Sequence, residues 1–269
     1  MNEQQTALLE DARLYVSILF EKNVSPDFRF HNLSHVQNVA DACSEIGSAY
    51  QLNDEDRLTL QLSAWFHDTG YRSGSALNHE DSSIEIARDF LLRKNADSQL
   101  INNVTACIQA TKMPQSPQNL LGQILCDADL AHLGSEKATA YSKLLRQEIN
   151  LTKGHHFGKK EWALINVAFM KNHQYFTDYA KEKFEPIKQE QIKIAEEKYG
   201  LAHIEPEKPA PHRHEEKEEH YQPEKKPKPI VPSRGIETMF RTTSANHFTL
   251  SSMADSKANI MISVNSIII

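Results

Sequence analysis

The sequence predicts an all-α protein. Three observations carry that prediction. Apolar residues recur at helical spacing up to about residue 200, no segment alternates apolar and polar residues like a half-buried strand, and no Rossmann or P-loop glycine motif is present. The first helix is expected in "LLEDARLYVSILFEK", with Leu8, Ala12, Tyr15, Ile18 and Leu19 on one stripe. "SHVQNVADACSEIGSAY" repeats the pattern with Val36, Val39, Cys43 and Ile46. "NDEDRLTLQLSAWFHD" opens on cap-type and acidic residues suited to a helix N-terminus. Its interior, Leu58 to Phe66, is apolar nearly all round, as a central helix requires. Further helices are expected at Ser82–Arg93, Asp97–Thr111, Asn119–Leu133, Lys137–Ile149 and Lys160–Lys171, and a long charged one from Thr177 to about Lys198.

Composition then changes. Residues 203–235 hold most of the prolines and almost no apolar side chains, so they cannot bury enough surface to offset chain entropy. A disordered Pro/Glu/Lys-rich linker is expected over 201–235, its four histidines solvated. Order signals return in 236–269, whose last residues, "NIMISVNSIII", are strongly apolar. A spanning helix needs about 20 apolar residues. The run reads as a transmembrane-type segment cut off midway.

Overall charge is mildly acidic at −6, which argues against a nucleic-acid polymer as partner and is neutral toward small anions. Cys43, Cys107 and Cys126 form no CxxC pair and read as reduced, buried thiols. The polar N-terminus has no apolar signal core, so secretion is not expected.

The chemistry is signalled by "AWFHDTGY". His67 and Asp68 stand at the end of an apolar segment, where two ionisable groups are costly to bury without a partner charge or a metal. Upstream, "FRFHNLSHVQNV" carries His31 and His35; downstream come His79 and Glu80 in "NHEDSS", then Asp127 and Asp129 in "ILCDADLAHLG". Each group lies at the start or end of an expected helix, so four helices can direct imidazoles and carboxylates into one cleft. Mixed His/Asp ligands with open positions suit a divalent ion that activates water: manganese, iron, magnesium or zinc. Taken singly, His31 reads as a loop or capping residue, His132 and His173 as helix-surface residues, and His155-His156 as a solvated turn.

The pattern "H…HD…D" in an all-helical chain resembles the HD superfamily of metal-dependent phosphohydrolases. "AWFHDTGY", "HEDSS", "IQATKMP", "DADLAHLG", "LLRQEI" and "YFTDYAKEKFEPIKQEQI" fall in the order seen in a bacterial subgroup of predicted HD hydrolases. The resemblance covers about residues 5–200 and implies an HD-type helical bundle over 1–200. It implies that His35, His67, Asp68 and Asp129 hold the metal, with Asp127 a second candidate as ligand or as a group bracing one. Asp68 would also orient the attacking water, His79 and Glu80 would face substrate or a second metal, and Lys112 would contact phosphate. The GYP signature of cyclic-di-GMP phosphodiesterases is missing from the sequence.

Residues 236–269, with "ADSKANIMISVNS", resemble the opening of the membrane domain of Pycsar effectors, bacterial antiphage proteins that respond to cyclic pyrimidine nucleotides. That resemblance implies a cytoplasmic domain tethered to the inner membrane in a longer protein. The expected function is hydrolysis of a small phosphate ester, a nucleotide first among them. The alternative is a nucleotide-binding sensor of an antiphage effector with little or no turnover. The long charged helix gives slight support to homo-oligomerisation.

Overall fold

The structure, a computed structural model, describes residues 1–73, 78–154 and 156–201. In chain order the α-helices are α1 (Glu3–Asn23), α2 (Leu33–Ser48), α3 (Asp54–Phe66), α4 (His79–Arg93), α5 (Ser98–Ala110), α6 (Leu120–Asp129), α7 (Ala138–Thr152), α8 (Lys159–Asn172), α9 (Asp178–Lys183) and α10 (Glu185–Tyr199). The described residues contain helices and no strand, so the all-α expectation holds. The expected linker and membrane-type segment lie outside the described residues. No described helix is long and apolar enough to cross a membrane.

The centre of the bundle is α3. Asn53 caps it, accepting a hydrogen bond from Asp56 N at 2.9 Å, and Asp54, Glu55 and Asp56 meet the positive end of its dipole. Every residue from Leu58 to Phe66 is buried, because α1, α2, α4, α5 and α6 pack around it. The main core runs through these helices and includes Cys43 and Cys107, and all three cysteines are buried free thiols. A second cluster joins α8 to α10 through Val167, Met170 and Ile192. A third, smaller one gathers Ile149, Phe157, Trp162 and Ile165.

Three local expectations are corrected. In α1 the inward face is Leu9, Ala12, Val16, Leu19 and Phe20, while Ile18 is 41% exposed. Tandem apolar pairs such as Leu8-Leu9 allow two stripes one residue apart, and packing against α3 selects one. The helix expected over Asn119–Leu133 stops at Asp129 and gives way to a 3₁₀ turn, Ala131–Gly134. Side chains take over the last carbonyls: His132 Nδ1 lies 3.1 Å from Asp129 O, and Tyr175 Oη donates to Leu130 O at 3.2 Å. The long helix after Thr177 breaks at Phe184, since Pro186 belongs in the first turn of a new helix, where its missing N–H costs nothing.

One glycine fixes how the elements meet near the end of α3. The 3₁₀ turn Thr69–Ser73 crosses the start of α4 so closely that a Cβ on Gly70 would lie 1.9 Å from the carbonyl oxygen of His79. Gly70 N also donates to Ser83 Oγ at 2.8 Å, which locks the crossing. Gly70→Ala should therefore cost at least the ~1–3 kcal/mol typical of overpacking and push His79 away from Asp68. Denaturant unfolding of the variant checks this, and wild-type stability would refute the close approach.

Candidate metal centre

Helix ends bring the site together. His35 lies in the first turn of α2, where the Asn32 cap accepts from His35 N at 3.2 Å. His67 is the C-cap of α3, its N–H donating to Ser63 O at 2.9 Å. His67 Nδ1 lies 2.8 Å from Ala64 O, and a carbonyl only accepts, so Nδ1 carries the proton and Nε2 turns to its neighbours. Asp68 follows directly, and Asp129 is the last residue of α6. Thus α3 and α6 both end here with the negative poles of their dipoles, an environment that favours a cation.

The two imidazoles meet at 3.4 Å between their Nε2 atoms. Asp129 Oδ1 lies 3.1 Å from His35 Nε2 and 3.6 Å from His67 Nε2. Asp68 Oδ2 stands 3.3 Å from each Nε2, yet it is buried without a well-aligned hydrogen bond. His35, His67 and Asp129 each offer a ligand atom, all within 4.8 Å of one another, so this group can hold a divalent metal. The fit rests on three features. The donors are imidazole and carboxylate, the Asp68 oxygen is orphaned, and the His67 Nδ1–H is anchored on a carbonyl as metal-binding imidazoles require.

Electrostatics agree with the geometry. Burial disfavours the imidazolium of His35, but its hydrogen bond to Asp129, the close contact with Asp68 and the charges of both outweigh it and raise its pKa above 6.5. Burial opposes charge at His67 too, and the charge of Asp68 leads the terms that raise it well above 6.5. Burial likewise opposes ionisation of Asp68, yet the charge of His67 and the contacts with His35, His67 and His79 hold its carboxyl well below 3.8. Asp129, despite burial, is held below 3.8 by His35 and His67. Protons on these imidazoles do the neutralising that a metal cation would do.

The other residues singled out from the sequence divide. His79 Nε2 lies 3.5 Å from Asp68 Oδ1, and buried Glu80 Oε2 lies 3.5 Å from His79 Nδ1, so both join the cluster. Asp127 does not. Its carboxylate accepts from Thr177 Oγ1 at 2.6 Å, Thr177 N at 2.7 Å and Phe176 N at 2.8 Å, bracing the start of α9. Lys112 pairs with Asp81 at 2.8 Å on the surface, while its neighbours Thr111 and Met113 line the cavity described next.

A cavity of about 90 Å³ opens beside the cluster, with Asp68, Asp129, His79 and Glu80 on its wall. Sequence reading missed several of its other residues. His31, expected as a loop residue, lines it, stacks on Tyr71 at 4.4 Å, and pairs through Nδ1 with Glu148 of α7. Glu148 is 3% exposed and also accepts from Phe30 N at 2.8 Å and His31 N at 3.0 Å. Against its burial, the charge of His31 and these hydrogen bonds hold the Glu148 carboxyl below the usual range. His132, expected on a helix surface, is half-buried in the cavity wall, its ring 4.9 Å from that of Phe30. Burial and then the charge of His35 push its pKa down to about 4, so it is neutral at pH 7. His173, also expected on a helix surface, is half-buried; burial and then the charge of Lys188 lower its pKa to about 3.

Two outcomes follow for the purified protein. In chelator-treated protein, pairing of His35 and His67 stabilises the fold fully below pH 6.5 and is lost as pH rises through their raised folded values. Pairing of Asp68 and Asp129 is fully present above pH 3.8 and is lost as pH falls through their depressed values. Between those limits the chelated Tm should be highest, falling toward alkaline pH, and added manganese should reverse the alkaline loss; a manganese-independent Tm there would sink the metal assignment. Asp127→Ala should lower stability by roughly 1–3 kcal/mol through its orphaned donors while leaving metal content at saturation unchanged, read by elemental analysis.

Among solved structures, the chain is similar to the Lin1889 protein from Listeria innocua, with a TM-score of 0.51 and 18% identity over 76% of this chain and 100% of that one. It is also similar to a predicted HD superfamily hydrolase from an uncultured Thermotogales bacterium, with a TM-score of 0.49 and 18% identity over 72% of this chain and 92% of that one. No curated protein matches the chain. Residues 32–134, which include His35, His67, Asp68 and Asp129, match the family of the HD domain.

Proposed function

We propose that this chain is a metal-dependent phosphohydrolase acting on a phosphate ester, with a nucleotide as its substrate. The observation that carries the reading is the His35–His67–Asp129 group, its imidazoles buried and its carboxylate partly so, with Asp68 beside it, at the wall of a closed-in cavity within a segment that matches the HD domain. In this reading His35, His67, Asp68 and Asp129 hold the ion. When bound, a divalent ion of manganese, iron, magnesium or zinc would activate water and neutralise charge on the phosphoryl oxygens.

The chain's own residues supply the rest. Asp68, held ionised, accepts a hydrogen bond from the attacking water and orients it toward phosphorus. His79 and Glu80 extend this polar wall. His31 is placed to serve the leaving group. Its Nδ1 is committed to Glu148, which leaves Nε2 to donate a proton to the departing oxygen as the P–O bond breaks. Glu148 positions that imidazole and stabilises it when charged, the role a buried carboxylate plays behind a general acid or base. Leu133, Trp162 and Phe169 give the cavity an apolar side that limits water around the reacting phosphoryl group. The membrane tether belongs to the same reading only through the sequence likeness of residues 236–269 to Pycsar membrane domains.

A panel of aryl phosphates and nucleotides with added manganese tests the proposal. His67→Ala should lose bound metal and reduce kcat by orders of magnitude with helical content kept. His31→Gln should keep the metal but lower kcat about 10²–10⁴-fold for poor leaving groups and much less for p-nitrophenolate, which departs without a proton. Full metal content and activity in His67→Ala would sink the site.

A further inference from the structure

Beside the cavity lies a larger concavity between α7, α8 and α10. Its volume is about 590 Å³ against about 90 Å³ for the cavity. Ala138, Ser142, Trp162, Asn166 and Met170 line both, and Trp162 Nε1 donates to Ser142 Oγ at 2.9 Å across this shared wall. The groove therefore adjoins the candidate metal centre's cavity, the two sharing this wall.

Its charge departs from that of the chain. The formal net charge is −6, yet the ionisable lining of the groove is Lys137, Lys143, Arg146, Lys159 and Lys198 against Glu136 alone. None of the five cations takes part in an ion pair among the described residues. Arg146 Nη1 donates to Phe157 O at 3.0 Å, which fixes the guanidinium in the wall. Exposed lysines on a helix usually pair with acids three or four residues away or stand singly in solvent. Here they converge from three helices on one groove, where low-dielectric walls focus the field on an anion.

Size makes the connection chemical. A water-sized group takes roughly 10–15 Å³ of such volume, so a cavity of about 90 Å³ accepts a phosphoryl group and its nucleophile but not a nucleoside. The remainder of the substrate must leave the cavity, and the basic groove is the concavity that adjoins it across the shared wall. We propose that the groove is an outer subsite for a second anionic group. The substrate class is then a phosphate ester carrying further phosphate, such as a nucleoside polyphosphate, with its additional phosphates along Lys143, Lys159 and Arg146. This rests on the phosphohydrolase reading for the reaction at the inner end, while the anion site stands on the groove itself.

The test uses the full chain and the double variant Lys143→Glu/Lys159→Glu, both residues exposed and outside the proposed catalytic set. In metal-depleted protein, calorimetry should show tripolyphosphate binding that weakens at least tenfold in the variant. With manganese, kcat/KM for a nucleoside triphosphate should fall at least tenfold, while that for p-nitrophenyl phosphate changes less than twofold. Unchanged tripolyphosphate binding, or an equal fall for both substrates, would overturn the proposal. A single-stranded oligonucleotide binding more tightly than tripolyphosphate, in a manner sensitive to the same variant, would overturn it in favour of a polymer. Hydrolysis of no ester at all, with tripolyphosphate binding still dependent on Lys143 and Lys159, would sink the phosphohydrolase reading and leave the anion site standing.

Discussion

Two imidazoles and two carboxylates, nearly withdrawn from solvent, converge where α2 begins and where α3 and α6 end. His35 and His67 approach within 3.4 Å through their Nε2 atoms, a contact that is repulsive when both rings are charged unless anions stand beside them. Asp68 and Asp129 supply those anions and are themselves affordable only because cationic charge lies within 3.3 Å and 3.1 Å. The cluster is thus balanced by protons or by a metal, and its two forms have the same electrostatic requirement. Much of the surrounding structure serves to hold these four groups at their positions. Asn32 caps α2 so that His35 sits in its first turn, and Ala64 O orients His67. The bare Cα of Gly70 lets α4 bring His79 against Asp68.

A second level of organisation comes from α7 and α8. These helices do not contribute to the four-residue cluster, yet they close the cavity over it. Glu148 reaches from α7 to the backbone N–H groups of Phe30 and His31 and to the ring of His31. That buried carboxylate ties the segment before α2 to the outer helices and holds an imidazole at the cavity in the same stroke. Trp162 and Ser142 join α7 to α8 at the boundary between the small cavity and the basic groove. The arrangement separates tasks: the inner charges suit a cation and a reacting phosphoryl group, and the outer lysines suit the anion attached to it.

Asp127 and Asp129 show how two similar residues diverge. They stand two apart near the end of α6, so the helix turns them about 200° away from one another. Asp129 faces the imidazoles, and Asp127 faces the segment before α9, where three donors from Phe176 and Thr177 satisfy it. Burial raises the pKa of Asp127, whereas the imidazoles lower that of Asp129. One carboxylate holds the fold together and the other belongs to the site.

The sequence by itself determined the helical class, because periodic apolar residues and cap residues act locally and α3 is buried on every side. It also brought out His67-Asp68 at the end of an apolar segment and the groups His31/His35, His79/Glu80 and Asp127/Asp129 at helix ends, while the choice of His35, His67, Asp68 and Asp129 among them came from the resemblance to the HD superfamily. Local signals were ambiguous where two registers satisfy the same period, as in α1, and where side chains from distant segments end a helix, as at Asp129. Tertiary structure alone decided the pairing of His31 with Glu148, 117 residues apart, and the partial burial of His132 and His173. It also gathered lysines and Arg146 from three helices into one groove. Such groupings depend on how helices dock across long separations, and no spacing within a single segment encodes them.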